Sequence, residues 1–143
     1  LTGRYQREGY FSRGTNLSKA ILVGAKLRNA DASGAELPET DCTDADFTDA
    51  NLSEASFKYA CLKSTRFVNA KLGDVDFRGA DLTDSDFAGA ELVEAKLQGV
   101  DLRKVKNISS EELEMAFIDS KTQVPDYIFV NWTSEDTYEC RMK

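Results

Sequence analysis

The sequence contains no histidine at all. That removes a histidine-based catalytic triad and any histidine metal site. It also has no apolar run near the length that a membrane-spanning helix needs, so membrane insertion is not expected. It has no glycine-rich phosphate loop. Basic residues are outnumbered, 18 Lys and Arg against 25 Asp and Glu, for a net charge of −7. A chain of that sign lacks the basic stripe that displaces counterions from nucleic acid, and it is repelled by anionic lipid. Cysteine is scarce: Cys42, Cys61 and Cys140 allow at most one internal disulfide and lack metal-ligand spacing. Two readings of the thiols stand. Either all three are free, or Cys61 and Cys140 are bonded and tie the C-terminal tail to the body, which would imply an oxidising compartment.

What remains is a chain of 143 residues, 41% hydrophobic and 30% charged, the size of one domain. From Thr15 to Lys104 a five-residue phrase repeats eighteen times without a slip. Ala80-Asp81-Leu82-Thr83-Asp84 is followed by Ser85-Asp86-Phe87-Ala88-Gly89 and Ala90-Glu91-Leu92-Val93-Glu94. The central position is Leu or Phe throughout, apart from Ala32 and Cys42. Two residues earlier stands Ala, or one of Thr15, Thr40, Thr65, Val75, Ser85 and Val100. Such self-similarity marks a solenoid.

A period of five suits neither a helix nor a plain alternating strand. Within each unit the small and the central positions are two apart, so in extended backbone both face inward. The last two residues must turn a corner, and the final one is often Gly, Asn or Asp, which accept tight or left-handed conformations. The Phe residues recur every ten residues. A coil of four sides and 20 residues stacks Phe47 on Phe67 and Phe87, and Phe57 on Phe77. Leu52, Leu72 and Leu92 form a third column, and Leu62 and Leu82 belong to a fourth with Leu102. Three sides would mix the columns, and like on like packs more evenly. Eighteen units then make about four and a half coils and a rod roughly 22 Å long. Ala32 and Cys42 are undersized, so loose packing is expected in the first two coils. Val75 and Val100 are large for the small position.

The pattern resembles the pentapeptide-repeat family, whose unit is Ala-(Asp/Asn)-Leu-x-x. The resemblance covers residues 15–104. It implies an all-β solenoid, a right-handed quadrilateral β-helix with the central and small residues inside. The chain divides into an N-terminal cap segment (1–14), the repeat coil (15–106) and a C-terminal helical cap and tail (107–143). In the last of these, Ser109 and Glu112 form a capping-box pattern, and Leu113, Ala116 and Phe117 share a helical face. Pro125 ends any helical continuation. Tyr127, Ile128, Phe129, Val130 and Trp132 make an apolar tail patch, read as core-covering. Tyr5, Tyr10 and Phe11 are expected to cover the first coil.

The carboxylates fall at outward positions, where ordinary pKa values are expected. A packed interior leaves no cleft for shifted ones, so neither an active site nor a cofactor is expected. Some members of the family imitate DNA and inhibit topoisomerases such as gyrase. Here Lys26, Asp46, Arg66 and Asp86 alternate in sign along one column. The longest acidic run, Glu54, Asp74 and Glu94 beside Asp31 and Glu91, is interrupted by Lys71. The expectation is a monomeric, non-enzymatic structural or protein-interaction module whose partner is another protein and not nucleic acid. Whole-chain similarity to the small pentapeptide-repeat proteins of the plant thylakoid lumen implies that location. The start at Leu1 is read as processing, with any targeting segment out of view. A cyanobacterial protein of cytoplasm or periplasm fits the repeats equally well. The alternatives are a DNA-mimicking inhibitor of a type II topoisomerase and a redox-regulated lumenal protein using Cys61 and Cys140.

Overall fold

A computed structural model describes residues 13–143; the expected cover formed by Tyr5, Tyr10 and Phe11 lies outside the described residues. The chain winds into a solenoid of parallel bridges that advance 20 residues at a time. Four columns run along it. They are Asn16–Glu36–Ser56–Asp76–Lys96, Ile21–Asp41–Cys61–Asp81, Lys26–Asp46–Arg66–Asp86–Lys106 and Asp31–Asn51–Lys71–Glu91.

The main-chain amides explain why a unit has five residues. The central amide donates to the next coil, as Leu17 does to the Glu36 carbonyl at 2.7 Å. The second-position amide donates backwards, as Glu36 does to Thr15 at 2.9 Å. The fifth donates forwards, as Lys19 does to Pro38 at 3.0 Å. The first closes the corner, as Ala20 does to Leu17 at 2.9 Å. In that corner the third residue has positive φ, the signature of a type II turn. From residue 19 to residue 99 the left-handed conformation recurs at every fifth position, at Lys19, Glu39, Glu54, Tyr59, Ser64 and Glu94 as well as at Gly, Asn and Asp. Coil pairing imposes it, and the favourable residues only make it cheaper.

The interior is filled in columns. Phe47, Phe57, Phe67, Phe77 and Phe87 are at most 2% exposed, and Leu52, Leu62, Leu72, Leu82 and Leu92 at most 1%. Phe47 lies on Phe67 with centroids 5.7 Å apart and planes 7° apart, and Phe57 on Phe77 at 5.8 Å and 10°. The two Phe columns stand on opposite walls and meet edge to face, as in Phe47–Phe57 at 5.8 Å and 77°, a favoured aromatic geometry. Ala32 and Cys42 are buried, as are Val75 and Val100. Where the small position is polar, its hydroxyl finds a carbonyl: Thr40 donates to Leu37, Thr65 to Cys42 and Ser85 to Leu82.

Beyond the repeats the chain forms α1 (Ser110–Met115), β1 (Ile128–Trp132) and β2 (Tyr138–Met142). The strands pair antiparallel, Val130 opposite Cys140 and Trp132 opposite Tyr138. The helix is shorter than its apolar pattern. Ala116 is already extended, and Phe117 pairs with Lys96 as the next rung of a wall. Phe117 is therefore 47% exposed and does not share a buried helical face with Leu113 and Ala116. The tail patch is divided: Ile128 is buried and Val130 half-buried, whereas Tyr127, Phe129 and Trp132 are exposed.

Candidate functional site

With the interior full, chemistry is confined to the outward second, fourth and fifth positions. Main-chain pairing leaves the fourth amide of each unit without a backbone acceptor. The second-position Asp or Asn supplies one. Nine of them accept from the amide two residues on, from Asn16 with Ser18 to Asp101 with Arg103. These are Asx turns, and they satisfy a polar group at every such corner. The residue two on often adds its own side chain. Thr43, Thr48 and Thr83 hydroxyls donate to Asp41, Asp46 and Asp81, while Arg78 and Arg103 grip Asp76 and Asp101 with two bonds each.

Five of the second-position carboxylates therefore depart from the ordinary values expected of outward positions. Side-chain hydrogen bonds from Thr43, Thr83 and Arg103 hold Asp41, Asp81 and Asp101 below the usual range. Partial burial pushes Asp46 and Asp76 up, but hydrogen bonds from Thr48 with the charges of Arg66 and Arg28 at Asp46, and the bonds and charge of Arg78 with the charge of Lys58 at Asp76, outweigh it and the net direction is down. This role was readable from the recurring Asp or Asn with Ser, Thr or Arg two places on.

The cysteines are free, so the Cys61–Cys140 bond does not form. Cys61 is held mid-rod between Asp41 and Asp81, and on the same wall Asp101 is already paired with Gln123 of the tail. Cys140 belongs to the hairpin, its amide bonded to Glu114 at 2.7 Å. That puts Cys61 some three coil spacings, roughly 14 Å, below the tail, beyond the Cα separation of about 7 Å that a disulfide tolerates. Burial pushes the Cys42 and Cys140 thiols up to about 11, so neither is poised as a nucleophile. Cys61 is half-buried beside the Thr43 hydroxyl at 3.3 Å.

Among the described residues no group of three or more His, Cys, Asp or Glu is arranged to hold a metal ion, and no helix is long and apolar enough to cross a membrane. A shallow open groove lies at the C-terminal end, between the Ala88–Gly89 corner, Asn107, Tyr127 and Met142. No acid–base pair lines it. The walls differ in charge. Lys26, Asp46, Arg66, Asp86 and Lys106 alternate along one, where Arg28 also pairs with Asp46 at 3.4 Å and Asp49 at 3.9 Å. Another carries Asp31, Lys71 and Glu91 with the corners Glu54, Asp74 and Glu94; Arg13 pairs with Glu54 there.

Two family models match the chain, a pentapeptide repeat region at residues 37–106 and pentapeptide repeats at residues 13–41. No curated protein matches it. Among solved structures it is similar to a pentapeptide repeat protein from Nostoc PCC 7120, with 23% identity and TM-score 0.58, over 78% of this chain and 85% of that one. It is also similar to HetL from Nostoc sp. PCC 7120, a pentapeptide repeat protein involved in heterocyst differentiation regulation. The identity is 25% and the TM-score 0.50, over 65% of this chain and 48% of HetL. A pentapeptide repeat protein of the Arabidopsis thaliana thylakoid lumen matches at 28% identity and TM-score 0.39, over 73% of this chain and 61% of that one.

Proposed function

The chain belongs to the pentapeptide-repeat family, and from that premise we propose that it is a non-enzymatic interaction module whose partner is another protein. The observation that carries this reading is the filled interior: ten central Phe and Leu side chains, each at most 2% exposed, leave outward side chains on a fixed lattice as the means of recognition. Neighbouring rungs stand roughly 4.8 Å apart, so each wall presents a rigid row of polar groups. Such a surface loses little conformational entropy on binding. A regulatory relative such as HetL is in keeping with a protein that acts by contact.

The finer features belong to the same proposal. The coil is right-handed, α1 and the hairpin cap its C-terminal end, and the rod is a monomer. The domain limits are 1–14, 15–106 and 107–143. The thylakoid lumen is the proposed location, on the resemblance of the sequence to the small lumenal members of the family; cyanobacterial cytoplasm or periplasm is the alternative.

The test is affinity capture from the soluble extract of the source organism, with the captured protein then purified and titrated against the rod. The expected outcome is a reproducible protein partner whose affinity falls when the outward residues of one wall are replaced. Absence of any reproducible partner, or a turnover activity in the isolated rod, would contradict the reading.

A further inference from the structure

The corner between the Asn16 column and the Ile21 column is closed by the same main-chain bonds at three successive junctions between coils. At the third of these Tyr59 donates to Arg78 at 3.1 Å, Asp81 to Ala60 at 2.9 Å and Leu62 to Asp81 at 2.8 Å. The donors are Glu39, Cys61 and Cys42 one coil earlier, and Lys19, Asp41 and Leu22 one coil before that. At the fourth junction the equivalent amides are those of Gly79, Asp101 and Leu82. None of them has an acceptor among the described residues. The parallel bridge that joins Cys61 to Asp81 has no successor from Asp81 to Asp101 there. Ala80 is half-buried at this point, whereas Thr40 and Ala60 in its column are 1% and 2% exposed. Gln98, whose carbonyl would have received the Gly79 amide, also has a buried Oε1 without a hydrogen-bond partner among the described residues.

On its other side the same rung is well held. Gly99 donates to the Asp119 carboxylate at 2.9 Å and to the Thr122 hydroxyl at 3.2 Å. Gln123 donates to Val100 at 3.1 Å, and Leu102 to Gln123 at 2.7 Å. The Thr122 hydroxyl reaches the Leu97 carbonyl at 3.0 Å. Bonds to the coil below resume only outside the rung, from Phe77 to Lys96 at 3.0 Å and from Asp84 to Lys104 at 3.1 Å. Main-chain groups in a packed structure are paired as a rule, and leaving them unpaired is costly. Here a run of them is unpaired at one seam, and the rung beyond it is bonded to the C-terminal segment instead of to the rod.

We infer that residues 98–102 and 117–123 form a flap that opens away from Gly79–Leu82 while the rest of the rod stays folded. The flap hinges where the ladder resumes, at Lys96 and Lys104. Opening breaks none of the three corner bonds that every earlier junction would have to break, so it takes less free energy than opening elsewhere along the rod. It bares the Ala80 carbonyl and the Leu82 amide, and with them a stretch of strand edge in the middle of an otherwise closed wall.

The test is native-state hydrogen exchange of the full chain, followed by NMR at urea concentrations below the unfolding transition. After correction for intrinsic rates, the Gly79, Leu82 and Asp101 amides should exchange about a hundredfold faster than Tyr59, Leu62 and Asp81, their counterparts one coil back. The bonded amides of Leu102 and Gln123 should share one opening event, reached at lower urea than that of Leu52 and Leu62. Thr122→Val removes the hydroxyl that clamps the flap, and should speed exchange at Leu102 and Gln123 about tenfold while leaving Leu62 unchanged. Equal protection of Gly79, Leu82 and Asp101 and their counterparts would overturn the seam. Exchange of Leu102 and Gln123 only with global unfolding, or a Thr122→Val effect spread evenly along the rod, would overturn the flap.

Discussion

At the scale of single residues, the second-position Asp or Asn does two things. It faces solvent, and it accepts the one amide of each unit that coil pairing leaves over, as Asp41 does from Thr43 at 3.1 Å. The fifth position carries the left-handed strain. Gly99 stands in open space at φ 73°, whereas a Cβ on Gly79 would meet the Tyr59 ring. Gly99→Ala should therefore cost about 1 kcal/mol, the backbone term alone, and Gly79→Ala more. In a Tyr59→Asn background the two costs should converge, which urea titration of the four variants would show. The thiols give a second check. In native protein at neutral pH a maleimide should modify Cys61 quickly and leave buried Cys42 and Cys140 protected, while denatured, unreduced protein should show three reactive thiols. A single reactive thiol after denaturation would mean that a disulfide exists. The inward residues were legible because size repeats every five places. The free thiols were not, because the distance between two cysteines depends on where the tail packs.

Among the elements, the C-terminal segment takes up amides of the last coil. Ser109 caps α1 by accepting from the Glu112 amide at 3.1 Å. The Glu112 carboxylate does not close the capping box. It accepts instead from the Leu92 amide at 2.9 Å, taking the place of the carbonyl that another coil would have offered. Asp119 does the same for Gly99 at 2.9 Å, and the Met115, Phe117 and Gln123 carbonyls serve Glu94, Leu97 and Leu102. The Tyr138 hydroxyl then fastens the hairpin to the carbonyls of Leu113 and Ala116. Glu112→Ala should leave the Leu92 amide unpaired and cost roughly 1–2 kcal/mol. Hydrogen exchange should show faster exchange at Leu92 with little change at Leu52 or Leu72; unchanged exchange at Leu92 would mean the carboxylate does not cap it. The helix start was legible from Ser109 and Glu112. Its early end was not, because Phe117 leaves the helix to pair with Lys96, 21 residues upstream.

For the whole molecule, the four-column register was legible before any coordinates, because only a 20-residue coil puts Phe47, Phe67 and Phe87 in line. The charge of each wall is not set by the repeat, since outward residues vary in sign. The acid response is a property of the whole rod. Asp41, Asp46, Asp76, Asp81 and Asp101 all have pKa values lowered by folding from 3.8. Near pH 4 the unfolded chain binds more protons than the folded one. The stability these groups confer is therefore fully present above about pH 5 and is lost as pH falls through about 4 and below. With no histidine, unfolding free energy should be nearly flat from about pH 5 to 8; a midpoint of loss near pH 6 would contradict this.

The central claim is that in-register columns fill the interior and leave function to the walls. It is tested most directly by equilibrium urea unfolding of Phe67→Ala. Phe67 is fully buried, with Phe47 at 5.7 Å and Phe87 at 5.1 Å on either side. The predicted loss is about 3–5 kcal/mol from the cavity left mid-rod. A loss below about 1 kcal/mol, the range of a surface position, would contradict the inward assignment and the account built on it.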